Sequence, residues 1–176
     1  MNKGISVKLV VINAMIAGVY AVLTLAISPI AYSEIQFRLS EIIVFLAFYN
    51  RRYIPGLTIG CIIANLFSPM GMLDIVFGTL STIIVCIAMY LIKNRYLAAG
   101  AGAIITGMII GAELWYAFNI PYVINAIYVA VGELIVLIIG ALVFKSLEKN
   151  DRLMNLLDLK IRSLTVFYYF NILFNH

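Results

Sequence analysis

Apolar segments, several of them long enough to cross a bilayer, succeed one another along almost the whole chain, and that succession limits what the chain can fold into. A spanning helix needs about 20 predominantly apolar residues to cover about 30 Å of hydrocarbon. The 176 residues are 64% apolar and 11% charged, with mean hydropathy +1.07, and they accommodate about six such segments. The expected fold class is therefore an all-α membrane protein with six transmembrane helices. No length remains for a separate nucleotide-binding or catalytic domain, so energy for uphill movement would have to come from other subunits.

The first apolar stretch, Val7 to Ile30, exceeds the core of a cleaved signal peptide, which runs about 7 to 15 residues, and reads as helix one. A polar stretch with Glu34, Gln36, Arg38 and Glu41 leads into a short apolar run, Ile42 to Tyr49. A helix begun near Ile35 would give this second element about 16 residues and about 24 Å, so its outer end must sit in protein or water rather than lipid. Pro55 favours a first turn and opens helix three, which runs to Phe67 before the turn Ser68-Pro69-Met70-Gly71. Helix four spans Leu73 to Ile92. Helix five, Leu97 to Phe118, is rich in small residues that allow close helix approach, and helix six runs from Tyr122 to about Phe144. From Asp151 onward, Leu153, Leu157, Ile161, Leu164 and Tyr168 fall on one helical face, so residues 149–176 are expected to form an amphipathic cytoplasmic tail, interfacial or poorly ordered. Residues 1–148 form the transmembrane domain.

With six crossings and the N-terminus inside, eleven of the twelve Lys and Arg residues fall on the inner side and only Arg38 on the outer. That asymmetry places both termini in the cytoplasm. It also assigns the net charge of +4 to membrane topology and the lipid bilayer rather than to nucleic acid. Cys61 and Cys86 lie inside apolar segments without CxxC spacing and read as buried small hydrophobes.

The acidic residues have the opposite bias. Glu34, Glu41, Asp74 and Glu113 fall at outer loops or outer helix ends, and Glu133 lies within helix six. A carboxylate in mid-membrane costs about 2.5 to 3.5 kcal/mol on insertion scales, so each requires a partner, a wet cavity or a ligand. Gln36, Arg38, Glu41, Asn65, Asp74, Glu113, Asn125 and Glu133 come from five elements and gather toward one membrane face, as the lining of a polar cavity open to the outside would. Singly, each has a structural reading: Arg38 and Glu41 as a local pair, Asp74 as a cap of helix four, Asn65 as a tie between loop and helix. An excess of carboxylates over one arginine favours a donor-rich or cationic ligand. A guanine-type edge offers adjacent N–H donors that one carboxylate accepts as a fork. Tyr116, Trp115 and Tyr122 would stack on a flat ring or anchor the interface. No HExxH, P-loop, GxSxG or metal-spaced cluster occurs, and the single histidine is His176, so no enzyme activity, cofactor or metal is expected. On helix one, Ala14, Ala17, Gly18 and Ala21 form a small-residue face that suits a partner helix or internal packing equally.

The runs IQFRLSEI (Ile35 to Ile42), PGLTIGCIIANLFSPMGMLDIVFGTLST (Pro55 to Thr82) and NAIYVAVGELIV (Asn125 to Val136) resemble the queuosine-precursor transporter (QueT) family. These are substrate-binding S-components of energy-coupling-factor (ECF) transporters. The resemblance covers about Val7 to Glu148 and leaves the tail without a counterpart. It implies a six-helix subunit in the cell membrane that captures its substrate outside and works with a transmembrane coupling protein and two cytoplasmic ABC ATPases. It implies 7-aminomethyl-7-deazaguanine or a close relative as substrate. The family's AxxxA docking motif for the coupling protein maps onto Ala17 and Ala21, with Ala14 one turn before. The rival readings are an S-component for another heterocycle or vitamin, a standalone channel or facilitator, and a purely structural membrane subunit.

Overall fold

The computed structural model describes residues 6–27 and 38–159. Gln36 and the tail from 160 onward lie outside the described residues. Among the described residues the chain is all helical: α1 (Val7–Ala26), a 3-10 segment (Leu39–Val44) running straight into α2 (Phe45–Tyr49), a 3-10 turn (Arg51–Tyr53), α3 (Ile54–Asn65), α4 (Met72–Leu91), α5 (Arg95–Phe118), α6 (Tyr122–Leu147) and α7 (Asp151–Leu156). The breaks fall where the side chains require them. Asn50 accepts from Arg52 N at 3.1 Å and opens the turn that leads to Pro55 in the first turn of α3. Gly71 takes φ +58°, ψ −122° before α4, a conformation open to glycine and strained for other residues. Asn94 caps α5 by accepting from Tyr96 N and Leu97 N, and Asn119 ends it in the left-handed conformation.

Four helices, α1, α4, α5 and α6, have 20, 20, 24 and 26 residues and are long and apolar enough to cross a membrane. The six-crossing expectation meets its difficulty at the other two elements. The stretch Leu39–Tyr49 reaches about 20 Å because half of it is 3-10 helix, and the 12 residues of α3 reach about 18 Å. Both are short of a full hydrocarbon thickness; the Leu39–Tyr49 stretch is sheltered by protein, whereas α3 is buried on one side and exposes Ile59 and Ile63 on the other. In α2 every residue is buried, with Phe45 and Ala47 fully so. A helix apolar all round belongs in a core rather than at a lipid surface. The long helices instead turn Val11, Met15, Val22, Val76, Leu80, Ile104, Met108, Ile135 and Leu142 outward.

Helix neighbours run α1–α3–α4–α5–α6, and the Leu39–Val44 segment packs against both α6 and α1. Two glycine seams set the close approaches. On α3, a Cβ at Gly56 would come within 2.7 Å of Asn13 O, and one at Gly60 within 2.7 Å of Tyr20 Cβ and 2.8 Å of Ala17 O. On α5, a Cβ at Gly107 or Gly111 would strike Ala126 and Ala130 of α6 at 2.6–2.8 Å. Asn13 locks the first seam: its Nδ2 donates to Leu9 O and Arg52 O, and its Oδ1 accepts from Gly56 N at 2.7 Å. Gly140 leaves room for the Phe45 ring, whose neighbours Phe144 and Tyr49 stack with centroids 5.6 Å apart.

The basic residues gather at the opposite end from Arg38. Arg95 donates twice to Glu148, both at 2.9 Å, and Glu148 also accepts from the Tyr49 hydroxyl. The chain after α6 packs back onto this end, burying Met154 and Leu159. Tyr53 donates to Leu157 O, and burial beside the Asp158 carboxylate raises its hydroxyl above the ordinary tyrosine range, which keeps it a donor. Most of the tail expected to be amphipathic lies outside the described residues, and its described start forms one short helix. Asp158 turns left-handed at φ 46° and Leu159 N bonds back to Met154 O, ending α7 at Leu156; Met154 rather than Leu153 faces inward.

Gly60→Ala is expected to lower stability in detergent by about 1–3 kcal/mol, since its methyl meets backbone, whereas Gly100→Ala, with nothing within 4 Å, is expected to stay within about 0.5 kcal/mol. Thermal unfolding of both variants checks the seam.

Candidate functional site

At the end of the bundle away from the basic residues, the helix ends bring buried polar groups together. Arg38 precedes the 3-10 segment and Glu41 sits inside it, Asn65 closes α3, Asp74 lies in the first turn of α4, Glu113 is one turn and a half from the end of α5, and Glu133 is three turns into α6. Their exposures are 5%, 6%, 0%, 0%, 0% and 3%. Such burial in an apolar bundle is sustained only by partners.

Arg38 supplies the central cation. Its Nη2 stands 3.4 Å from Asp74 Oδ1, and Asp74 also accepts from the Ser68 hydroxyl. Asn65 Nδ2 donates to Asp74 O at 2.8 Å and to Cys61 Sγ at 3.3 Å. Asn65 therefore ties α3 to α4, and Asp74 pairs with Arg38 in addition to lying at the start of its helix. Glu41 accepts from the Tyr20 hydroxyl, and one turn further along α1 Thr24 donates to Ser40 Oγ at 2.7 Å. Gly78 is the floor of this arrangement: a Cβ there would come 2.6 Å from Asn65 Nδ2 and 3.5 Å from Arg38 Nη1.

Two carboxylates remain unsatisfied among the described residues. Glu113 lies beside Asp74 and within the field of Arg38, but neither of its oxygens meets hydrogen-bond geometry with a described residue. Glu133 Oε1 is likewise unpartnered. It faces a cavity of about 10 Å³ lined by Arg38, Glu41, Gly78, Ser81, Thr82, Thr106, Ile110 and Glu133. That volume holds about one water-sized group, so a flat heterocycle enters only if the lining elements move apart. The described residues contain no cluster of three or more His, Cys, Asp or Glu arranged to hold a metal ion.

Of the residues expected from sequence, Arg38, Glu41 and Glu133 line the cavity, and Asn65, Asp74 and Glu113 adjoin it. Asn125 is buried in the first turn of α6 but donates locally to Pro121 O at 2.7 Å. Tyr116 and Trp115 are 68% and 55% exposed on the surface of α5, as belt residues are, and line no part of the cavity. Gln36 is outside the described residues. On α1, Ala17 and Ala21 are buried within the chain, Ala17 against Gly60, while Ala14 is exposed. Sequence reading missed Ser81, Thr82 and Thr106. Ser81 and Thr82 were signalled by the α4 stripe Asp74, Gly78, Ser81, Thr82 at helical spacing, whereas a lone threonine in α5 carries no such signal.

Comparison with known proteins finds both a family and a relative. The family model described as "QueT transporter" matches residues 10–149. A protein from Lactococcus lactis subsp. cremoris (strain MG1363), named "Queuosine precursor transporter QueT", is 33% identical over 166 residues, covering 85% of this chain and 97% of the relative. No solved structure matches.

Breaking a buried ion pair on one side leaves an uncompensated charge. Arg38→Met alone is expected to destabilise the protein by about 3–5 kcal/mol, and the double variant Arg38→Met, Asp74→Asn by distinctly less. Thermal melts of the two variants in detergent distinguish an ion pair from a mere neighbour contact.

Proposed function

The chain belongs to the QueT transporter family, a multi-pass membrane protein, and on that premise we propose that it is the substrate-binding S-component of an ECF-type importer. It captures 7-aminomethyl-7-deazaguanine, or a close relative, from outside the cell. The observation that carries the reading is the pair of unsatisfied buried carboxylates, Glu113 and Glu133, beside a neutralised Arg38–Asp74 pair. Such a site lacks a donor-rich, positively charged guest. A guanine-like edge bearing a primary ammonium is a guest of that kind.

In this reading all six principal elements cross or complete the crossing, the short Leu39–Tyr49 stretch being embedded in protein. Both termini are cytoplasmic, in keeping with the basic helix ends on the side of Arg52, Arg95 and Glu148. The site opens outward. ATP hydrolysis on partner subunits drives release inward, a reading in keeping with the lack of a P-loop motif in the sequence. The coupling protein docks on α1, where Leu9, Val10, Asn13, Ala14, Ala17, Pro55 and Ile59 line an apolar groove of about 490 Å³. The small-residue face that remains available to a partner is Ala14 with Gly18, since Ala17 and Ala21 already pack within the chain.

Purified protein is expected to bind 7-aminomethyl-7-deazaguanine tightly at equilibrium, with guanine displacing it weakly and a flavin not at all; absence of binding by folded protein removes the substrate. Ala14→Trp is expected to abolish uptake in cells with binding unchanged. Uptake that persists without ATPase partners would identify a facilitator instead.

A further inference from the structure

The two unsatisfied carboxylates differ in what surrounds them, and the difference assigns them separate tasks. Glu133 is 3% exposed, its Oε1 has no partner among the described residues, and the residue contributes to the lining of a pocket of about 10 Å³. That space fits one water-sized group and excludes a ring. The charges around it are accounted for one by one. Arg38 is paired with Asp74 at 3.4 Å, and Glu41 accepts from Tyr20. Glu133 is the lining carboxylate with a buried oxygen, Oε1, that has no hydrogen-bond partner among the described residues. The remaining polar lining, Ser81, Thr82 and Thr106, offers hydroxyl oxygens, and Ser81 and Thr106 already stand 3.4 Å apart. A carboxylate and several hydroxyls around a one-atom space form an acceptor set for a group with three N–H donors and a positive charge. Glu113 is different: both of its oxygens lack partners among the described residues, and it lies outside the pocket lining, next to Asp74. Two free oxygens on one carboxylate match two adjacent donors on the edge of a planar ring.

We propose that Glu133 receives the primary ammonium of the ligand in this pocket, while Glu113 accepts the paired N–H donors of its ring edge, so that the ligand enters amine first. The proposal rests on the substrate reading above and adds the orientation and the residue that sets specificity. Ser81 and Thr106 complete the ammonium's acceptors, and Arg38, which also lines the pocket, has its charge offset by Asp74 at 3.4 Å.

The test compares 7-aminomethyl-7-deazaguanine with its 7-methyl analogue, in which hydrogen replaces the amine, and with its dimethylaminomethyl analogue. Binding is measured calorimetrically on the full chain in detergent. Wild-type protein is expected to prefer the amine over the methyl compound by about 10- to 100-fold, the range of a charge-assisted hydrogen bond. It is expected to reject the dimethylaminomethyl compound, which is too bulky for the pocket and has lost donors. Glu133→Gln is expected to bring the amine-to-methyl ratio to about twofold or less, while Glu113→Gln weakens both compounds together and keeps the ratio. A ratio that survives in Glu133→Gln, or collapses only in Glu113→Gln, overturns the assignment and leaves the substrate intact. Equal binding of the dimethylaminomethyl compound by wild-type protein overturns the one-atom pocket without recourse to any variant. If none of the three compounds binds folded wild-type protein, the substrate reading falls and the assignment falls with it.

Discussion

Arg38 and Asp74 meet where neither is more than 5% exposed, in surroundings where an isolated charge would cost several kcal/mol, on the order of the insertion penalty itself. The rest of the site follows from holding that pair together. Arg38 enters from the loop ahead of the short second element and Asp74 from the first turn of α4, so the pair fixes the outer end of the bundle across 36 residues of sequence. Gly78 has to be small for the guanidinium to lie over α4, and Asn65 has to reach across to Asp74 O to hold α3 and α4 in register. With Arg38 thus paired to Asp74, the carboxylates left without hydrogen-bond partners among the described residues are Glu113 and Glu133.

The broken second element makes this possible. A continuous helix there would satisfy its own backbone and turn side chains to all sides. The 3-10 segment with α2 instead delivers Arg38, Ser40 and Glu41 to the outer end and then plugs the inner half with Phe45, Phe48 and Tyr49. Because α2 is enclosed by α4 and α6, its short length carries no exposed polar backbone into lipid. α3 is flanked by α1 and α4 on one side only and exposes Ile59 and Ile63 on the other.

Much of this was legible in the sequence for a physical reason: apolar length and helix-ending residues act locally. Pro55, Gly71, Asn94 and Asn119 mark breaks through their own backbone preferences, and Arg38, Glu41, Glu113 and Glu133 stand out because charge in an apolar run has no neutral explanation. Pairing was not legible. The local spacing of Arg38 and Glu41 suggested a pair of neighbours, and the two do lie in each other's field, but the hydrogen bonds to distant Asp74 and to Tyr20 had no sequence signal. Direction was not legible either. Tyr116 sits three residues from Glu113, yet the helix turns it outward. The alanine face of α1 suited a partner helix and internal packing equally; Ala17 packs against Gly60, because the glycines that create a close approach lie on the other helix.

α1 ties these features together. Its inner half lines the apolar groove through Leu9, Val10 and Ala14, and its outer half holds the site through Tyr20 on Glu41 and Thr24 on Ser40. Between them Ala17 and Tyr20 press on Gly60 with no slack for even a methyl group. Close-packed helices move as rigid pieces because their interfaces do not deform gradually. Among the elements that line this site, the 3-10 segment is the one hydrogen-bonded to α1, so any shift of it on ligand entry is passed to that helix. In the proposed transport cycle, then, filling the site and changing the face offered to a coupling protein are two ends of one movement of a single helix, and the tight seam at Gly60 is what keeps them from becoming independent.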